Sequence, residues 1–167
     1  MNGRSLRESA GDRLAGPAGV LVAVIAVNAV GAAPATLAGP DTAWFAGLTK
    51  PVIYPPSATF AVVWTALFTL QGVAVWLVVR GATGRRRTRA LAAFGLQFVV
   101  NLLWTPTFFG LQWIPGALAV AGLLVPAVAL TARQFGRIDR RAGLLLVPYL
   151  LWAGFATLLT SRFLVVN

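Results

Sequence analysis

The chain has 167 residues, 58% of them hydrophobic and only 11% charged, with fourteen basic residues against four acidic ones and a mean hydropathy of +0.79. Soluble domains carry about a quarter charged residues, so a water-soluble core is excluded. The absence of cysteine and histidine excludes disulfides, thiolate or imidazole metal centres, and Ser-His-Asp or Cys-His catalysis.

Residues 1–14 form a short basic tail with Arg4, Arg7 and Arg13. The first apolar stretch, about 15–38, meets the roughly 20-residue requirement of a membrane-spanning helix. Its Ala33-Pro-Ala35 sequence imitates a signal-peptide cleavage site. An apolar run longer than the usual h-region of roughly 7–15 residues favours a retained span. A long connection follows, Trp44-Phe-Ala-Gly-Leu-Thr-Lys-Pro-Val-Ile-Tyr-Pro-Pro56. Proline-stiffened and aromatic, it is more than a simple anchor needs, and it reads as a lid over something held beneath it.

Further spans are expected at 57–79, 90–113, 114–132 and 142–161, so the expected fold is an all-α integral membrane bundle of five transmembrane helices occupying 15–163, with a short tail at 164–167. Twelve arginines collect on one side, in the tail, in the second connection (Arg80, Arg85, Arg86, Arg87, Arg89) and in the fourth (Arg133, Arg137, Arg140, Arg141). Lys50 and Arg162 alone fall on the other. By the positive-inside rule the N-terminus is cytoplasmic, and the long loop and C-terminus lie outside. The Arg85–Arg89 run borders two apolar spans, so anionic lipid headgroups are its expected partner and nucleic acid is not.

All four acids, Glu8, Asp12, Asp41 and Asp139, fall outside the apolar stretches. Ion-coupled transport therefore lacks its usual intramembrane group, although an uncoupled facilitator remains open. What is left for recognition is aromatic and amide chemistry, and its spacing follows the helical period. The second span aligns Phe60, Trp64, Leu67 and Gln71. The third aligns Gln97, Asn101, Trp104 and Phe108. The fifth aligns Tyr149, Trp152, Ala156 and Leu159, with Ala156 leaving a notch beside Trp152. Taken singly, each stripe reads more simply as helix packing, with Gln97 and Asn101 as interhelical glue. Together the three describe a flat-sided, largely apolar cavity with hydrogen-bonding groups, suited to a planar ligand. Pro106, Pro115, Pro126 and Pro148 are expected to kink their helices and open space. Trp76 and Trp113 read as interfacial anchors.

Four ordered motifs resemble the TspO/MBR family of translocator and tryptophan-rich sensory proteins. They are Trp44-Phe-Ala-Gly-Leu-x-Lys50-Pro51 with Pro55-Pro56, Val63-Trp64-Thr65, Asn101-x-x-Trp104-x-Pro106-x-Phe108-Phe109-Gly110, and Pro148-Tyr149-Leu150-x-Trp152-x-x-Phe155-Ala156. The resemblance implies a dimeric five-helix bundle whose pocket takes protoporphyrin IX or another tetrapyrrole as ligand, with no resident cofactor. It puts Trp64, Asn101, Trp104, Pro106, Trp152, Ala156 and Leu159 in the pocket wall and Trp44 in the lid. In members that degrade protoporphyrin IX in light, the tryptophans matching Trp64 and Trp152 are implicated. Ile53 and Thr160 depart from the family's frequent Trp and Asn, and Ser161 stands where animal members have the tyrosine of a cholesterol motif, so no sterol site is expected by that route. Thirteen arginines to one lysine resemble the usage of a GC-rich bacterial genome. Small pairs Gly19/Ala23 and Ala117/Ala121 offer thin support for close helix contact in a dimer.

Overall fold

The computed structural model describes residues 16–167; the basic tail with Arg4, Arg7 and Arg13, and the acids Glu8 and Asp12, lie outside the described residues. The elements in order are α1 (Pro17–Leu37), α2 (Ala43–Gly47), α3 (Ser57–Gly81), α4 (Gly84–Thr105), a π-helical turn (Pro106–Gly110), α5 (Ile114–Gly136), α6 (Arg140–Leu144) and α7 (Val147–Val166). No strand occurs among the described residues. Five helical segments, with α4 running through the π-turn and α6 joined to α7, are long and apolar enough to cross a membrane. The fold is therefore an all-α membrane bundle of five spans, and its apolar residues point outward as well as inward, because lipid solvates them.

Four of the five spans run past an expected limit, α4 the furthest. The arginine run does not lie in a connection: only Ala82 and Thr83 separate α3 from α4, and Arg85–Arg89 form the first turns of α4. Arginine is a good helix former, so propensity carries the helix past the apolar boundary. The fifth span is broken by turns at Leu145 and Leu146, with Pro148 at the start of α7. Pro115 likewise sits in the first turn of α5, where its missing N–H costs nothing. These two prolines start helices and do not kink them. Pro126 in α5 and Pro34 in α1 are the prolines inside helices.

Helix α1 buries only Gly19 and Val27 and is held mainly by α3. A Cβ on Gly72 would stand 2.6 Å from the Val24 Cα, so the two backbones touch there. Asn28 Nδ2 donates to Thr69 Oγ1 at 3.2 Å, and Trp76 Nε1 donates to the Gly16 carbonyl at 3.2 Å. The small residues read as a dimer seam are used inside the protomer. Ala117 and Ala121 are buried in the core, and the Ala23 carbonyl faces Gly72.

The glutamines of α3 and α4 meet in the core. Gln97 Nε2 donates to Gln71 Oε1 at 3.2 Å, both side chains are fully buried, and Gln71 Nε2 and Gln97 Oε1 find no further partner among the described residues. Replacing one glutamine leaves the other orphaned in an apolar interior, where a lone amide costs more than a mutual bond returns. Gln97→Leu is expected to lower stability by about 1–3 kcal/mol, and adding Gln71→Leu to restore most of it. Thermal unfolding midpoints in detergent check this; a double variant no more stable than the single one would exclude mutual satisfaction.

Candidate functional site

Above the glutamine pair the helices part around a cavity of about 480 Å³, within the range of small-molecule sites. Its lining is mostly apolar and aromatic, and the polar groups on it include Asn28, Asn101 and Tyr54. Of the residues singled out in the sequence, Phe60, Trp64, Asn101, Trp104, Trp152, Ala156 and Leu159 all open onto it. The third-span stripe thus divides: Gln97 serves as interhelical glue, and Asn101, one turn on, faces the cavity.

Trp64 and Trp152 meet at right angles, with ring centroids 6.4 Å apart and an interplanar angle of 89°. Phe60 packs on Trp152 at 6.0 Å, and Trp64 stacks on Phe68 at 5.3 Å. Edge-to-face contact fixes both indole planes, because the positive ring edge faces the negative ring face. Trp104 lies nearly parallel to Phe108, 5.0 Å away. Its Nε1 and the Tyr149 hydroxyl are buried without a hydrogen-bond partner among the described residues. Such groups normally find one; with its Nε1 shut off from the cavity, Trp104 offers the wall its ring.

Two expected site residues stand elsewhere. Trp44 does not line the cavity; its neighbour Phe45 does, and Trp44 packs edge-on to Phe108 at 5.5 Å from behind. Thr42 caps α2 by accepting the Phe45 N–H. Successive helical residues diverge by about 100°, so turning Phe45 inward turns Trp44 aside. Pro106 is not in the wall either. Lacking an N–H, it cannot continue the α-helical ladder, and the backbone widens so that the Leu111 N–H reaches the Pro106 carbonyl at 2.8 Å while Thr107 Oγ1 donates to the Leu103 carbonyl at 2.7 Å. Phe108 and Phe109 of the π-turn both reach the cavity.

The loop is fastened over this end of the bundle. Phe45 lies within 6.1 Å of Tyr54, Phe108, Phe109 and Phe163, and Tyr54 packs on Phe60 and Phe163. Lys50 Nζ sits 3.7 Å from the Phe45 ring centre and donates to the Phe45 and Leu48 carbonyls. Partial desolvation holds the Lys50 ammonium below its ordinary value, and burial pushes the Tyr54 phenol up. Asn167 brackets the loop from the far end of the chain: its Oδ1 accepts the Thr49 N–H at 2.8 Å and its Nδ2 donates to the Thr49 carbonyl at 3.2 Å. Ile53 is not a lining residue, whereas Thr160 is, with its hydroxyl turned back to the Ala156 carbonyl at 2.8 Å.

The fourth wall was missed in the sequence. It comes from α1, through Asn28, Gly31, Ala32 and Ala35, whose 3, 4, 7 spacing is a helical stripe of small and polar residues. The signal was present, but a stripe without an aromatic residue looks like any alanine-rich span.

The chain is similar to known proteins over most of its length. It is 41% identical over 128 residues to a tryptophan-rich sensory protein of Cereibacter sphaeroides, a match covering 75% of this chain and 78% of the relative. It is 36% identical over 143 residues to the tryptophan-rich protein TspO of Chlorobaculum tepidum, covering 83% and 89%. It is 34% identical over 124 residues to the translocator protein of Homo sapiens, covering 72% and 73%. The model of the TspO/MBR family matches residues 20–165, so the chain, with its five spans and its tryptophan-lined cavity, belongs to the TspO/MBR family.

Proposed function

We propose that this membrane protein binds a porphyrin-type tetrapyrrole in the cavity and thereby takes part in its transport, sensing or degradation. The observation that carries the reading is the crossed Trp64 and Trp152 pair at the wall of a roofed cavity, joined by the Asn101 amide. Flat indole faces suit a planar macrocycle, and the few donors suit its polar edge. Protoporphyrin IX should quench the intrinsic tryptophan fluorescence saturably in detergent. Trp152→Ala should weaken binding by about 1–3 kcal/mol, the size of a hot-spot aromatic. Equal affinity in both proteins would remove Trp152 from the site.

A second reading, light-dependent breakdown of protoporphyrin IX, is favoured by the fixed contact between two electron-rich indoles on the same wall. Illumination should then bleach the Soret band, and bleaching that survives Trp64→Phe with Trp152→Phe would excuse both residues. The charge asymmetry supports an arginine-rich end facing the cytoplasm and a loop facing outward. The family resemblance supports a homodimer, whose seam would use faces other than the buried Ala117 and Ala121.

A further inference from the structure

At the opposite end of the bundle from the loop, the first turns of α4 and the last turns of α5 enclose a cleft of about 470 Å³ lined by Arg85, Arg86, Arg89, Arg137 and Gln134. Among the described residues no carboxylate lines it. Among the described residues the acids are Asp41, at the loop end, and Asp139, whose side chain caps α6 by accepting the Arg141 N–H at 2.8 Å. Four guanidinium groups at one cleft repel one another and present forked donors that match phosphate oxygens. The cleft also stands at the positive end of the α4 dipole.

What lies below the cleft chooses between a soluble anion and a lipid. Along α4, Leu96 and Leu103 follow Arg89 at intervals of seven, two turns of helix, and so share its face. Along α5, Leu130 and Leu123 precede Arg137 at the same interval. All four leucines are exposed, from 45% to 62%. The two helices pack together, and Thr131 Oγ1 donates to the Ala93 carbonyl at 3.1 Å between them. Two apolar tracks thus descend side by side from one polycationic cleft.

We infer that this cleft is a specific seat for the phosphodiester headgroup of an anionic phospholipid, with its two acyl chains lying along the leucine tracks of α4 and α5. The site is separate from the tryptophan-lined cavity and does not depend on the ligand proposed for it. The polar part of the seat is supplied by Arg85, Arg89, Arg137 and Gln134, and the tracks exclude water from the chains. The arginine run is then a defined binding site, and more than a diffuse anchor to a charged surface.

The test uses the whole protein in a mild non-ionic detergent, with native mass spectrometry to count retained lipid and the thermal midpoint as a second readout. Phosphatidylglycerol should be retained saturably at one molecule per chain and raise the midpoint; phosphatidylcholine and inorganic phosphate should do neither. Arg89→Gln with Arg137→Gln should weaken retention by about tenfold or more, whereas Arg140→Gln with Arg141→Gln, the same loss of charge outside the cleft, should leave it unchanged. Gln134→Glu keeps the shape of the side chain and places a carboxylate among the arginines, where folding is not threatened, and it too should abolish retention. Equal loss in both arginine pairs, or retention undiminished by Gln134→Glu, would reduce the cleft to a general field. A midpoint shift produced equally by inorganic phosphate would make it a soluble-anion site and overturn the lipid seat.

Discussion

Phe108→Ala is expected to cost about 3–5 kcal/mol of stability, the range for removing a large buried aromatic side chain. Phe108 is 1% exposed and its ring meets those of Trp44, Phe45, Trp104, Phe109 and Phe163 at centroid distances of 5.0 to 6.1 Å. Those neighbours come from α2, α4, the π-turn and α7, so one truncation loosens four elements together. The neighbouring rings also pack on one another, so relaxation around the truncated side chain is partial. Phe108→Leu, which keeps most of the volume, should cost about 1.5 kcal/mol or less. Unfolding midpoints in detergent with protease sensitivity of the 48–56 segment decide this: if Phe108→Ala unfolds like the parent while the loop stays protected, the cluster is not the fastening of the lid.

Gly72→Ala is the second large effect, expected to destabilise by about 1–3 kcal/mol although it adds a single carbon. The added Cβ would meet the Val24 Cα at 2.6 Å, the Val24 N at 2.9 Å and the Ala23 carbonyl at 3.0 Å. These are backbone atoms, which have no rotamer to turn away. Relief requires α1 to move off α3, stretching the Asn28 to Thr69 bond and shifting the Gly31 and Ala35 wall of the cavity. Ligand affinity should fall with stability. Gly154→Ala is the control, because nothing lies within 4 Å of a Cβ there, and better helix propensity should make it neutral or stabilising by up to about 1 kcal/mol. Matching losses at the two positions would show that helical glycine as such, and not the α1 to α3 contact, sets the effect.

Span number was legible because the bilayer imposes a length that composition alone can meet, and the stripes that carry Trp64, Asn101 with Trp104, and Trp152 were legible because a helix repeats its faces. Legibility failed wherever the backbone left that period. The π-turn at Pro106 is a widening of the backbone that residue spacing does not announce. The five-residue α2 exchanges Trp44 for Phe45 through a cap at Thr42, a choice of one residue that a loop sequence does not announce. The arginine run was assigned to a connection because hydropathy marks where lipid ends and not where the helix ends. Ala117 and Ala121 were offered to a second copy, but small residues state only that something approaches closely, and here it is the same chain.

The bracket between Asn167 and Thr49 spans 118 positions, so the loop gains this fastening only after α7 is made. The loop is made while every residue that fastens it from α7 is still unmade, so before then its ring contacts are those with α3 and the π-turn. Contacts of such sequence separation form late because their loop-closure entropy must first be overcome. The ceiling of the cavity is therefore held from two sides, and the hold from α7 is the later of the two to be made.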